Sequence, residues 1–155
     1  MNKEFMQRAI ALSEIGSKEG KGGPFGCVVV KDGKIVGEGH NQVTSTNDPT
    51  AHAEVVAIRN ACLNLKTFQL EGCEIYTSCE PCPMCLGAIY WARPQVVYYA
   101  NTKADAAAIG FDDYFIYQEL ETEYSQRKIP FIQMEREAAQ QAFLFWSQND
   151  NKVNY

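Results

Sequence analysis

Four residues in two short motifs of this chain could assemble a metal site with a reactive water. His52 and Glu54 lie in the triplet HAE at 52–54, and Cys82 and Cys85 lie in the run PCPMC at 81–85. Cysteines three residues apart on a helix point to one side, and a helix N-terminus favours their thiolate form. With a neutral imidazole from His52 they make three ligands of the type zinc prefers, which leaves the fourth tetrahedral position for water. The pattern predicts a catalytic zinc site.

Glu54 is the candidate for moving protons at this site. Zinc lowers the pKa of a bound water to about 7, so that hydroxide is available at neutral pH. Glu54 is one residue away from His52 and can lie beside the metal without binding it. There it can accept the proton of the water and pass it to a substrate. Together, the two motifs predict a hydrolytic enzyme.

Each motif alone also has a simpler interpretation. A His-x-Glu triplet is common on surface helices, and Cys-x-x-Cys occurs in redox pairs and structural zinc half-sites. A closed structural site would take Cys79 or His40 as a fourth ligand. Cys79 is expected at the end of a strand, where ligation together with the other two cysteines is less natural, so we expect the open site. The remaining cysteines are expected to be small core residues: Cys27, Cys62 and Cys73.

Hydrophobic spacing and turn signals predict the elements that position these motifs. After an N-terminal helix the predicted order is ββαβαβα, which implies an α/β sandwich whose later strands are parallel. The strongest hairpin signal is the turn Asp32-Gly33, and the polar segment 40–50 is expected to be a loop. The predicted elements are a helix within 1–20, strands at 25–30, 35–39, 73–77, 96–100 and 128–134, a helix capped by Thr50, a helix from Pro81 or Pro83 to 94, and helices at 104–108, within 111–120 and at 135–148.

Composition and charge fit one globular domain that spans residues 1–155, with 46% hydrophobic and 21% charged residues. The net charge of -5 argues against nucleic acid as a partner, because a nucleic-acid surface needs clustered Lys and Arg. Residues 1–20 lack the apolar core of a signal peptide, and no window approaches the roughly 18 apolar residues that cross a bilayer. We therefore expect a cytoplasmic protein whose six cysteines are reduced thiols or metal ligands.

With these residues in view, the sequence resembles the cytidine deaminase-like superfamily over nearly its whole length, since the spaced motifs H-x-E and P-C-x-x-C are the signature of zinc nucleobase deaminases. The closer resemblance is to the short, zinc-dependent bacterial guanine deaminases. The stretches that carry it are GGPFGCVVVKDGKIVGEGHNQV, NDPTAHAEVVAIRNAC, YTSCEPCPMCLGAIYWARP and GFDDYFIY. The first three are shared loosely with tRNA adenosine deaminases and fungal-type cytosine deaminases. The fourth, together with the final Tyr155, favours guanine.

The resemblance implies a three-layer α/β/α sandwich around a mixed five-stranded sheet and one zinc ion per subunit. It also implies a homodimer in which residues 135–155, a C-terminal helix and tail, are exchanged between subunits. The implied site roles, beyond the zinc ligands His52, Cys82 and Cys85 and the proton shuttle Glu54, are a purine-edge contact by Asn41, a lining of Phe25 and Trp91, substrate contact and assistance in proton transfer by Asp113, and closure of the partner's site by Tyr155.

Taken by themselves, these additional residues also have structural interpretations. Asn41 fits a turn, Phe25 and Trp91 fit a core, Asp113 fits a solvated loop, and Tyr155 fits a frayed end.

The activity implied by the resemblance is hydrolysis of guanine to xanthine and ammonia, with attack at C2. Guanosine, cytosine, an aminated triazine and adenosine in tRNA are alternative substrates, and the acidic charge counts against tRNA. An alternative of a different class is a zinc-stabilised binding module without turnover, against which Glu54 argues.

Overall fold

The computed structural model describes residues 2–155, which form two compact units. One unit ends at Asp113, and the other runs Tyr114–Tyr155. The elements of the first unit are α1 (Lys3–Lys18), β1 (Gly26–Lys31), β2 (Lys34–His40), α2 (Val43–Thr46), α3 (Ala53–Leu65), β3 (Cys73–Cys79), α4 (Pro83–Ala92), β4 (Val96–Asn101) and α5 (Lys103–Ala108). The elements of the second unit are α6 (Tyr114–Glu121), a 3₁₀ turn (Tyr124–Gln126) and α7 (Arg136–Gln148).

The sheet of the first unit is mixed and has the strand order β2-β1-β3-β4. Strand β1 pairs antiparallel with both β2 and β3, and β3 pairs parallel with β4. The predicted hairpin is confirmed: Asp32 and Gly33 have φ values of 49° and 72°, as a type I′ turn requires. The predicted parallel pairing of the later strands is also confirmed.

Helices cover both faces of this sheet. Alternate residues of β1 point to opposite sides, so each face of the strand packs against different helices. Val28 and Val30 belong to a buried cluster with residues of α1, whereas Cys27 and Val29 belong to a second cluster with residues of α3 and α4. Burying such a side chain stabilises the fold by about 1.5–3 kcal/mol. The predicted α/β/α sandwich is confirmed.

Two glycines of β2 let α3 pack directly against the strand. A Cβ on Gly37 would lie 2.7 Å from the backbone nitrogen of Ala61, and a Cβ on Gly39 would lie 2.7 Å from that of Ala57. Real Cβ atoms do not come so close to backbone atoms, so larger residues here would push the helix away. This close packing fixes the helix whose first turn carries Glu54.

The predicted fifth strand at 128–134 is wrong, because residues 2–155 form one four-stranded sheet. Pro130 lacks the backbone N–H that a ladder needs. The N–H of Lys128 donates to the Glu119 carboxylate instead, at 3.0 Å. The guanidinium of Arg127 stacks on the rings of Tyr124 and Phe131, 4.3 and 5.2 Å from their centroids. These local contacts replace strand pairing.

The segment 40–50, predicted to be a loop, contains the short helix α2. The predicted N-cap of α3, Thr50, is wrong. Thr50 does not cap α3, because its N–H and hydroxyl both donate to the carboxylate of Asp48, at 2.8 and 2.6 Å. His52 is the N-cap residue of α3.

No helix in residues 2–155 combines the length and the apolar character that crossing a membrane requires.

Candidate active site

Two helix N-termini carry the four residues of the predicted metal motifs. His52 is the N-cap of α3, and Glu54 lies in the first turn of that helix. Cys82 is the N-cap of α4, where Pro83 opens the helix and Cys85 lies in the first turn. Proline suits this first position because its missing N–H has no helical acceptor. We call His52, Glu54, Cys82 and Cys85 the metal corner.

The ligand atoms of three of these residues lie at distances that suit a tetrahedral zinc ion. Nδ1 of His52 lies 3.5 Å from Sγ of Cys82 and 3.6 Å from Sγ of Cys85. Bonds of about 2.0 Å to nitrogen and 2.3 Å to sulfur, set at the tetrahedral angle, place N and S about 3.5 Å apart. These three ligand atoms all lie within 4.8 Å of one another, so the residues fit the ion.

The electrostatics of the metal corner favour the thiolate form of one ligand, Cys82, and oppose a second thiolate beside it. Hydrogen bonding to Cys85 and then to His52 lowers the pKa of Cys82 to about 4, against burial. The same pairing and burial raise the pKa of Cys85, since one thiolate opposes a second one beside it. Hydrogen bonding to Cys82 raises the pKa of His52. Two thiolates side by side need a cation to neutralise them.

Glu54 lies beside the three ligand atoms and is buried, with 6% of its surface exposed. Its Oε2 accepts a hydrogen bond from Sγ of Cys85 at 3.4 Å. Burial raises the pKa of its carboxyl group, because a low-dielectric surrounding disfavours the charge. The group can therefore hold a proton as well as release one.

The two residues considered as a fourth ligand lie in other contacts. Sγ of Cys79 donates to the carbonyl oxygen of Thr102 at 3.6 Å, and burial raises the pKa of this thiol to about 11. Nδ1 of His40 lies 3.1 Å from the carbonyl oxygen of Asn41. Neither residue belongs to the group of ligand atoms that the described residues bring together at the metal corner.

Asn41 follows β2 and is buried, with 5% of its surface exposed. Its backbone N–H donates to the carbonyl of Phe25 at 3.0 Å, and the N–H of Gln42 donates to the carbonyl of Ala51 at 2.9 Å. Ala51 is the residue before His52, so these bonds hold the Asn41 segment next to the chain that enters the metal corner. The position fits a contact to a substrate bound there.

Phe25 contacts an aromatic residue that the sequence analysis did not single out. Its ring packs edge-to-face on Phe111, with centroids 5.0 Å apart and planes at 89°. A Cβ on Gly23 would lie 2.9 Å from the Phe111 ring, so both rings pack on this loop. The available signal is position, because Phe111 stands two residues before Asp113 in the stretch GFDDYFIY at 110–117.

Asp113 is half-buried and ends the first unit. Burial raises the pKa of its carboxyl group, and the negative charge of Cys82 raises it further. Asp113 therefore lies within reach of the charge of Cys82.

Trp91 and Tyr155 are both exposed. Trp91 is 63% exposed on α4 and lines a shallow groove with Pro83, Leu86 and Tyr90, to which no residue of the metal corner contributes. Tyr155 ends the second unit and is 67% exposed.

Comparison with known proteins gives a family and two kinds of relative. A family model described as the cytidine and deoxycytidylate deaminase zinc-binding region matches residues 1–101. The chain is 55% identical to the guanine deaminase of Bacillus subtilis (strain 168) over 156 aligned positions, which cover 100% of both proteins. It is 44% identical to the tRNA-specific adenosine deaminase of Aquifex aeolicus (strain VF5), over 64% of this chain and 66% of that protein.

A solved structure agrees with the full-length likeness. The X-ray structure of guanine deaminase from Bacillus subtilis superposes with a TM-score of 0.96 at 54% identity, covering 100% of this chain and 99% of that chain. The likeness thus includes both units at high identity, whereas the tRNA-specific adenosine deaminases of Aquifex aeolicus and Haemophilus influenzae are 44% identical over 64% of this chain and 37% identical over 86% of it, respectively.

Proposed function

The chain belongs to the deaminase family of the cytidine and deoxycytidylate deaminase zinc-binding region, and from its full-length relative we infer that it hydrolyses guanine to xanthine and ammonia. The observation that carries the choice of guanine is the likeness to a guanine deaminase along the whole chain, in sequence and in structure. A small purine base is therefore the substrate.

His52, Cys82 and Cys85 are the residues that would hold one zinc ion per subunit. The spacing of their ligand atoms and the paired thiols support this assignment. When bound, zinc would supply a Lewis acid that lowers the pKa of a water molecule to about 7.

Glu54 is proposed as the proton carrier of the reaction. Its carboxylate lies beside the ligand atoms and outside their group, so that it stays free for proton transfer. At Oε2 it takes the proton from water and delivers it to a ring nitrogen of guanine. It then takes the second proton of that water from the oxygen now bonded to C2 and delivers it to the departing amino group, which leaves as ammonia. The water oxygen remains on C2, and the product is xanthine.

Asn41, Phe25 and Asp113 are proposed to hold the purine beside the metal corner. Asn41 offers a side-chain amide to the ring edge, and Phe25 offers a ring face to stack on. Asp113 would contact the substrate and assist proton transfer. Trp91, exposed in the groove on α4, is proposed as a further lining residue.

The proposed assembly is a single deaminase domain, residues 1–155, that works as a homodimer with residues 135–155 exchanged. Helix α7 has four neighbouring large apolar residues that are exposed, which supports the proposal that it packs against an apolar surface of a partner: Phe143, Leu144, Phe145 and Trp146. Tyr155 would then close the site of the partner subunit.

Mixing two inactive variants tests the exchange. In one subunit, Glu54→Gln disables the proton carrier. In the other subunit, Tyr155→Ala disables the tail that this subunit sends to its partner. If tails are exchanged, both defects of a mixed dimer fall on one site and the other site is intact. Co-refolded variants should therefore regain guanine turnover, while each alone stays impaired. An absence of regain, or a monomer by sedimentation, rejects the exchange.

The proposal also places the protein in the cytoplasm, as part of purine catabolism. All six cysteines carry free thiols, which suits a reducing compartment.

Ammonia release tests the proposed reaction directly. Zinc-loaded protein is incubated in turn with guanine, guanosine, adenine, cytosine and tRNA, and xanthine is identified from the guanine reaction. We expect ammonia from guanine. Ammonia from another substrate but none from guanine would move the enzyme to a different deaminase. Zinc binding with no ammonia from any of them would favour a binding module.

A further inference from the structure

The side-chain oxygen of Asn41 is held by two backbone N–H groups. Gly23 N–H donates to Oδ1 at 3.3 Å, and Val43 N–H donates to the same atom at 3.2 Å. A backbone N–H can only donate, so the amide atom between them must be the oxygen. The orientation of the carboxamide is thereby fixed.

This orientation leaves the amide nitrogen of Asn41 available. Among residues 2–155, Nδ2 of Asn41 has no hydrogen-bond partner. Every completely buried side-chain nitrogen or oxygen in this part of the chain does have a partner, so Nδ2 is not completely buried. Nδ2 is therefore reachable from outside and can donate. Guanine carries acceptors at O6 and N7, whereas adenine has an amino donor in place of O6.

Gly22 packs on Asn41 at a distance that only glycine permits. A Cβ at this position would lie 2.7 Å from the carbonyl carbon of Asn41 and closer still to its backbone oxygen and to Oδ1. Two of these three atoms belong to the backbone, so the overlap is not relieved by turning a side chain. A larger residue must push the loop and Asn41 apart.

The surrounding bonds prevent the loop from moving aside without loss. The carbonyl of Lys21 accepts hydrogen bonds from the Thr44 hydroxyl at 3.1 Å and from the Ser45 N–H at 3.3 Å. The Asn41 N–H is bonded to the carbonyl of Phe25. Displacing Gly22 therefore disturbs the bonds that place the amide.

We propose that Gly22 is a positioning residue for guanine: because it has no side chain, Gly23 and Val43 can hold the oxygen of Asn41 and leave its amide nitrogen to donate to the purine. We call Asn41, Gly22 and the N–H groups of Gly23 and Val43 the Asn41 seat. This inference rests on the proposed guanine deaminase activity.

Gly22→Ala tests the seat by separating binding from chemistry. Loss of one directed hydrogen bond should raise KM for guanine about fivefold to tenfold, with kcat changed by less than about twofold. The guanine Kd from calorimetry should rise in parallel, and the zinc content should stay unchanged. Gly33→Ala is the matched control, because its positive φ of 72° strains an alanine in the β1–β2 turn while its Cβ meets no atom within 4 Å. It should lower Tm and leave KM unchanged.

A double-mutant cycle with Asn41→Ala tests whether Gly22 acts through Asn41. On that background there is no carboxamide left to misplace, so adding Gly22→Ala should not raise KM further. Gly22→Ala should lower Tm on the Asn41→Ala background as well, because the overlap of its Cβ with the backbone of residue 41 remains. Additive effects on KM would overturn the proposal, since Gly22 would then act independently of the amide.

Asn41→Asp tests which amide atom contacts guanine. The two N–H groups can bond one carboxylate oxygen as they bond Oδ1, so folding should be unchanged. The other oxygen can only accept, so KM for guanine should rise at least as far as in Asn41→Ala. Unchanged KM in Asn41→Asp, or a selective fall of kcat in Gly22→Ala, overturns the inference. Guanine turnover of the wild-type protein is measured before that of any variant. If the wild type does not turn over guanine, the proposed function itself is rejected.

Discussion

The metal corner and the Asn41 seat are neighbours built on different principles. The metal corner gathers side chains from two helix N-termini, and its paired thiols need a cation between them. The Asn41 seat is made largely of backbone, and the oxygen it holds is satisfied by the chain alone. One region is completed by what it binds, whereas the other is complete when the chain has folded.

This difference separates chemistry from recognition. Changes at the metal corner should affect turnover and stability together, because the ion would link two helices. Changes at the Asn41 seat should affect guanine binding and leave the ion in place. The following predictions test this separation from the largest expected effect to the smallest.

Zinc removal should have the largest effect. Chelation should abolish guanine turnover and also lower Tm by roughly 5–10 °C, relative to zinc at about 100-fold above its Kd. The measurement is thermal unfolding and ammonia release before and after chelation. Restoring zinc should restore both. A chelated protein with unchanged Tm would show that the metal corner is as complete without an ion as the Asn41 seat.

Glu54→Gln should separate turnover from metal binding within the metal corner. Glutamine keeps the shape of the side chain but cannot carry the proton, so kcat should fall by about 10²–10⁴-fold. Zinc content by elemental analysis should remain at the wild-type level. Glu14→Gln is a control, because Glu14 pairs with Lys18 on the surface of α1. Near-normal turnover in Glu54→Gln would remove its proposed role.

The sequence predicts the metal corner well because its information is local. Residue type and spacing at 52–54 and 81–85 identify the ligands, and Pro83 marks the start of the helix that presents two of them. The hairpin is equally local, since Asp32 and Gly33 alone specify the turn. The layered fold follows from the alternation of strands and helices.

The remaining features depend on contacts between distant segments. Gly22 and Asn41 are 19 positions apart, and neither residue type indicates that the two are in contact. The pairing of Phe25 with Phe111 is more distant still. The strand predicted at 128–134 has suitable apolar residues, but Pro130 and the stacking of Arg127 hold this segment out of the sheet.

Phe111→Ala should have an intermediate effect, and it extends the recognition side of the comparison. An aromatic pair contributes about 0.5–1.5 kcal/mol beyond its buried area, so loss of this support for Phe25 should raise KM for guanine about twofold to tenfold. The change in kcat should be smaller, and zinc should stay bound. Steady-state kinetics and zinc content measure this. A selective fall of kcat would instead connect Phe111 to the metal corner.

Glu38→Gln should have the smallest effect, and it tests the scaffold that leads to the Asn41 seat. Glu38 lies on β2, three residues before Asn41, and accepts two hydrogen bonds of 2.7 Å from Arg8 of α1. Removing the charge of this half-exposed pair should lower Tm by about 1–3 °C at pH 7. KM for guanine should stay unchanged, because the bond ties the strand to α1 without touching the amide.

The pH dependence of this small effect has a defined sign. Hydrogen bonding to Arg8 lowers the pKa of Glu38 from its usual 4.5 in the folded protein. The pair therefore stabilises the fold above that pH, and its contribution disappears as the pH falls through the lowered pKa. Unfolding curves of the wild type and Glu38→Gln should differ at pH 7 and converge in acid, with any loss of zinc common to both. A rise of KM like that of Gly22→Ala would mean that the seat depends on the whole strand, and its independence as a backbone-made site would have to be abandoned.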